Sequence, residues 1–185
     1  YGSNMDDLFA FVDHLQPFGH VVSFDAPQHT PWGGKAWFDL NFTANSVHIS
    51  DYNQIVSAGV SLVKNITTVL NDLHLNWSDL VLMGFSQGAM MVSELLMEVE
   101  QAPAAAILMS GRKSRDKYDK CIQARVLQTH GTTDPVIHIE QARDLSNQLN
   151  SICMNFTYKE YEGMAHGISP DCWNDIMAFL KEGLN

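Results

Sequence analysis

Ser86 stands in the run Gly84-Phe85-Ser86-Gln87-Gly88, directly after the apolar stretch Leu80-Val81-Leu82-Met83. A serine with glycines two residues to either side, between strand-like and helix-like patterns, marks a sharp strand-to-helix turn. The turn lifts the hydroxyl out of the sheet. The glycines leave room where a Cβ would collide with the neighbouring backbone. The N–H of Gln87 then faces the space in front of the serine oxygen, where negative charge can form. The chemistry this suits is nucleophilic attack on a carbonyl carbon.

A serine hydroxyl is a weak nucleophile at neutral pH. It needs a base within hydrogen-bond reach, and the base needs an orienting group. Two later stretches supply both. Arg125-Val126-Leu127-Gln128-Thr129-His130-Gly131 reads as a strand and leads to Asp134-Pro135. Phe156-Thr157-Tyr158-Lys159-Glu160-Tyr161 reads as another and leads to Gly163-Met164-Ala165-His166. Asp134 and His166 therefore fall just past the carboxyl ends of strands, the edge where open α/β sheets gather ligands and reactive groups. Each has a plainer reading: Ser86 as a helix cap, Asp134 as a turn residue before proline, His166 as a solvated loop histidine. His130 competes for the part of base, but its position before Gly131 points to a structural hydrogen bond.

The elements that must carry these residues alternate between strand and helix. That alternation predicts an α/β fold with a mostly parallel central sheet and helices on both faces. Val21–Phe24 reads as a short buried strand, and residues 28–50 as a long loop holding Pro31, Gly33 and Gly34. Asp51 is the expected cap of a helix that runs through Ile55, Val56, Val60, Val63, Ile66, Val69 and Leu70. Helices are expected from about Ser86 to Glu100, near 138–150 and near 171–183. Strands are expected at 105–109, up to Gly131 and near 156–161. Residues 111–124 form a charged connection, and no break divides residues 1–185, which read as one domain.

The chain resembles the carboxylesterase, lysophospholipase and acyl-protein thioesterase family of α/β-hydrolases. The resemblance rests on Ala26-Pro27, Gly33-Gly34, Ala36-Trp37-Phe38-Asp39, the Ser86 pentapeptide, His130-Gly131 with Asp134-Pro135, and Gly163-Met164-Ala165-His166. It implies Ser86 as nucleophile, Asp134 as orienting acid and His166 as general base. It implies two or three further strands upstream, and a first oxyanion segment reading His-Gly, an apolar residue, then glycine. This chain begins Tyr1-Gly2-Ser3-Asn4, as though cut after that His-Gly. Tyr1 then holds the position of the second oxyanion donor beside Gln87. Trp32 falls in the segment that resembles the loop beside the acyl groove. Gly111-Arg112-Lys113 is cationic where many relatives are apolar, so Arg112 and Lys113 are candidate contacts for an anionic substrate.

Composition agrees with a globular enzyme. The 185 residues are 45% hydrophobic and 17% charged, and a chain of that length buries roughly 70% of its unfolded surface. A net charge of −10 argues against nucleic acid and anionic membranes as partners. Cys121, Cys153 and Cys172 have no metal spacing and read as reduced thiols of a cytoplasmic protein. Asn41, Asn65, Asn76 and Asn155 open Asn-x-Ser/Thr sequons, read here as coincidence in an Asn-rich chain rather than as glycan sites. The expected activity is that of a serine carboxylesterase on short- to medium-chain esters, with thioesters as a further class. No metal or cofactor is required, no stable membrane insertion is expected, and a homodimer fits the resemblance. The competing readings are an acyl-protein thioesterase or lysophospholipase and, from another class, an inactive hydrolase-fold binding module.

Overall fold

A computed structural model describes residues 1–43, 46–49 and 51–183. Their contacts group into two compact units, residues 1–58 and residues 59–183.

The first unit opens with two short helices, α1 (Met5–Phe9) and α2 (Val12–Leu15). Asn4 caps α1, its side chain accepting from the N–H of Asp6 at 2.7 Å. Two antiparallel hairpins follow: β1 (Gln28–His29) with β2 (Lys35–Ala36), and β3 (Leu40–Thr43) with β4 (Ser46–Ile49). These hairpins occupy the stretch that the sequence suggested was a long loop. Their strands are too short, or too mixed in polarity, to show a period of two. The strand expected at Val21–Phe24 is absent. No ladder partner for it exists among the described residues, and Val22 is exposed. A strand without a neighbour leaves its backbone groups to water, and apolar residues alone do not hold it in register.

The helix α3 (Tyr52–Asp72) starts where the cap was expected. Asp51 Oδ1 accepts from the N–H of Asn53 at 2.9 Å. Its inward row is Ile55, Ala58, Leu62, Ile66 and Leu70, at spacings of three and four, while Val56 and Val60 point outward.

The second unit holds one parallel sheet, formed by β5 (Val81–Phe85), β6 (Ala105–Met109), β7 (Ile122–Gly131) and β8 (Cys153–Tyr161) in that spatial order. The inner strand β6 is buried at all five positions, as a strand covered on both faces must be. The outer strand β8 carries Lys159 and Glu160. They pair with Asp175 at 2.7 Å and Arg143 at 2.7 Å, and such charges blunt an exposed edge. The helix α4 (Gln87–Glu98) packs on β5 and β6, α5 (Ile139–Ile152) on β7 and β8, and α6 (Pro170–Glu182) on β7. Their buried rows follow the helical period: Ala142, Leu145 and Leu149 in α5, and Cys172, Ile176, Phe179 and Leu180 in α6. Ser169 caps α6 by accepting from the N–H of Cys172, with Pro170 in the first turn.

Register decides where the strands finish. Phe85 is level with Met109, Met109 with Thr129, and Thr129 with Lys159. The residues that follow therefore emerge along one rim. No helix among the described residues is long and apolar enough to cross a membrane.

Candidate active site

Ser86 joins β5 to α4 with φ 54° and ψ −116°, a left-handed backbone that a non-glycine residue adopts only under constraint. The constraint is visible on both sides. Its N–H donates to Met109 C=O at 2.8 Å, which ties the elbow to β6. A Cβ on Gly84 would lie 2.3 Å from the carbonyl oxygen of Gly88, so only glycine lets the strand pass that close to the helix. The hydroxyl makes no bond to the first turn of α4, which sets aside the reading of Ser86 as an ordinary cap. It faces His166 instead.

The Nε2 of His166 lies 3.0 Å from Ser86 Oγ, and its Nδ1 lies 2.7 Å from Asp134 Oδ2. The three residues expected to meet do meet, through hydrogen bonds spanning 80 and 32 residues of chain. Asp134 is buried, and its other oxygen accepts from the N–H groups of Val136 at 2.8 Å and Ile137 at 2.9 Å. The turn of Asp134 and its bond to His166 are thus compatible, each using a different carboxylate oxygen. The ring of Phe85 leans on the His166 imidazole, with centroids 4.9 Å apart.

The segments carrying Asp134 and His166 are fastened to each other. Thr133 donates from both its backbone N–H and its hydroxyl to Met164 C=O, each at 3.2 Å. Thr132 Oγ1 accepts from the N–H of Gly163 at 2.9 Å. A Cβ on Gly131 would sit 2.0 Å from Met164 oxygen, a clash that backbone cannot absorb. These threonines escaped the sequence reading because Ser and Thr in loops carry no pattern of their own.

His130 is fully buried. Its Nε2 lies 2.8 Å from Ile137 C=O and 3.5 Å from Asp134 Oδ2, so it braces the turn that holds the acid, as its position before Gly131 suggested. Burial lowers its pKa below the usual histidine value. The Ile137 carbonyl and the Asp134 charge oppose that shift, and His166 adds to it.

The remaining candidates occupy different surroundings. Gln87 is buried as the first residue of α4. Tyr1 and Trp32 belong to the first unit, with ring centroids 6.4 Å apart, and Trp32 is 77% exposed between β1 and β2. Arg112 is half-buried, and loss of hydration lowers its guanidinium pKa. Lys113 is held by Asp144 of α5 at 2.7 Å. The segment beyond them is clamped by a cluster that the sequence did not reveal. Glu94, buried in α4, takes Arg115 on both oxygens and also receives the Ser114 hydroxyl. Tyr118, also buried, lies 3.0 Å from Ser93 Oγ and 3.1 Å from Ser114 Oγ, and burial raises its phenol pKa. A glutamate inside an apolar helix pattern is the one sequence signal that could have pointed to this clamp. Among the described residues, no group of three or more His, Cys, Asp or Glu side chains is arranged to hold a metal ion.

Residues 13–184 match the family model described as Phospholipase/Carboxylesterase. Acyl-protein thioesterase 1 of Candida albicans is 26% identical over 156 residues, covering 79% of this chain and 68% of the relative. Its counterpart in Saccharomyces cerevisiae is 25% identical over 201 residues, covering 100% and 88%. Among solved structures, esterase PE8 superposes with a TM-score of 0.88 at 25% identity, covering 98% of this chain and 88% of that one. The Bacillus cereus carboxylesterase shares the fold at a TM-score of 0.84 and 19% identity, covering 98% and 84%. The fold is thus that of an α/β-hydrolase, and this chain, a serine hydrolase, belongs to the phospholipase/carboxylesterase family.

Proposed function

We propose that the chain is a serine carboxylesterase that cleaves short- to medium-chain esters through an acyl-enzyme, with Ser86, His166 and Asp134 as its triad. The observation that carries this is the continuous hydrogen-bonded path from Ser86 Oγ through both ring nitrogens of His166 to Asp134. His166 Nε2 takes the hydroxyl proton as Oγ bonds to the acyl carbon. Asp134 keeps the proton on Nδ1 and stabilises the imidazolium. Collapse of the tetrahedral adduct breaks the bond to the leaving group, which receives the proton from Nε2. Water, deprotonated by the same nitrogen, then attacks the acyl-enzyme and releases the acid and free Ser86.

The oxyanion is assigned to the N–H of Gln87, which opens α4 directly after Ser86. The family match runs through both compact units, which supports reading residues 1–185 as one hydrolase domain. Three unpaired cysteines support a reducing compartment, the cytoplasm.

Acyl thioesters are the second reading, favoured by the names of the fungal relatives. For substrate contacts we retain Arg112 and Lys113. Lys113 is already engaged by Asp144. Arg112→Ala should lower kcat/KM for anionic esters more than for neutral ones, and an unchanged ratio would remove Arg112 from the site.

Labelling with a fluorophosphonate probe tests the central reading. The wild-type protein should be modified at Ser86 and should turn over p-nitrophenyl esters. Ser86→Ala should lose both. Turnover that survives in Ser86→Ala, or a wild type inert to probe and to a graded panel of esters and thioesters, would leave a hydrolase-fold binding module as the better reading.

A further inference from the structure

Ser110 follows the last residue of β6, is completely buried, and holds φ at +51°. Glycine would adopt that backbone without cost, whereas serine does so under strain. The strained residue keeps a hydroxyl, and that hydroxyl donates to Gly167 C=O at 3.3 Å. Gly167 is the residue immediately after His166.

The neighbours of Ser110 hold the nucleophile. Met109 C=O receives the Ser86 N–H at 2.8 Å. A Cβ on Gly111 would lie 2.7 Å from Ala89 Cβ and 3.6 Å from Ser86 carbonyl oxygen, so Gly111 backs directly onto the elbow. The N–H of Ser110 donates to Thr129 C=O at 2.9 Å, which anchors it to β7. Residues 109–111 thus grip the elbow with backbone and reach the histidine segment with a single side chain. On the other side of His166, Met164 is held by Thr133. His166 is therefore fastened two residues before and one residue after its own position.

We propose that Ser110 is a positioning residue of the reaction, whose hydroxyl sets the distance between the base and the nucleophile. It touches neither substrate nor reacting atoms and acts through the backbone of Gly167. The proposal rests on the reading of Ser86, His166 and Asp134 as the triad. Small displacements of a base from its nucleophile are costly in rate, and the loss of one such fastening should appear in kcat rather than KM.

The test compares Ser110→Gly with Ser110→Ala and the wild type, using p-nitrophenyl acetate and butyrate, with Ser86→Ala as the control for the underlying reading. Ser110→Gly relieves the left-handed backbone, so its Tm should equal or exceed that of the wild type. Its kcat should nevertheless fall roughly tenfold or more, with KM within about twofold. Ser110→Ala keeps the strain without the hydroxyl, so it should lose the same kcat and melt lower. A Ser110→Gly protein with wild-type kcat would overturn the positioning role while leaving the triad intact. A Ser110→Gly protein that loses Tm together with kcat would assign the hydroxyl to general stability and overturn it equally. A wild type whose turnover matches Ser86→Ala would overturn both the triad and the role of Ser110.

Discussion

Asp134 meets His166 with one carboxylate oxygen, at 2.7 Å from Nδ1, while its other oxygen is occupied by the backbone of its own turn. The division leaves the acid no freedom to rotate. Asparagine at this position can preserve the turn through its carbonyl oxygen, but its amide would face Nδ1 with a donor. The imidazole would then be held in the wrong tautomer. Asp134→Asn should lower kcat by about ten-thousandfold with little change in Tm. Ester hydrolysis and thermal melts on the same preparation check both halves of the prediction.

His130 sets a pH limit on stability. Burial holds its pKa in the folded protein below the ordinary value of 6.5. Between those two values the unfolded chain binds a proton that the folded chain refuses. Stability is therefore complete above about pH 6.5 and falls as pH drops through that value toward the folded pKa. The wild type should show a declining Tm between about pH 7 and pH 5, and His130→Asn should flatten part of that decline. Identical slopes in the two proteins would show that His130 contributes nothing to the acid limb.

Arg115 and Glu94 form a largely buried ion pair in the second unit. Removing one partner leaves a charge uncompensated in a low-dielectric setting. Arg115→Met should destabilise the protein by about 3–5 kcal/mol. Converting Glu94 to Gln in the same chain should recover a substantial part of that loss, because the stranded charge is then gone. Urea unfolding of the single and double variants reads the difference from the midpoints.

The sequence exposed the site better than it exposed the frame around it. Ser86, Asp134 and His166 were legible because each follows a stretch with strand character and because a serine between glycines has few purely structural uses. The register that brings them to one rim followed from the same strands. Val21–Phe24 misled because local hydrophobicity says nothing about whether a neighbouring strand is available. The hairpins within 28–49 were missed for the opposite reason. Their order depends on backbone pairing, such as Gln28 with Ala36, that side-chain pattern does not record. Thr132, Thr133 and Ser110 were invisible because their contribution is a hydroxyl aimed at a carbonyl far along the chain, and nothing local announces such a bond. The clamp of Arg115 on Glu94 was hidden because a charged connection gives no local sign of which of its charges turns inward.

The level finish of β5 through β8 separates what can drift from what cannot. Loops leaving that rim can lengthen, shorten or exchange residues without moving Ser86, because its height is fixed by ladder bonds beneath it. New substrate preferences are therefore accessible through the connections alone. A single residue added inside β6 would instead shift Met109 and Ser110 relative to Ser86 and uncouple the elbow from His166 in one step.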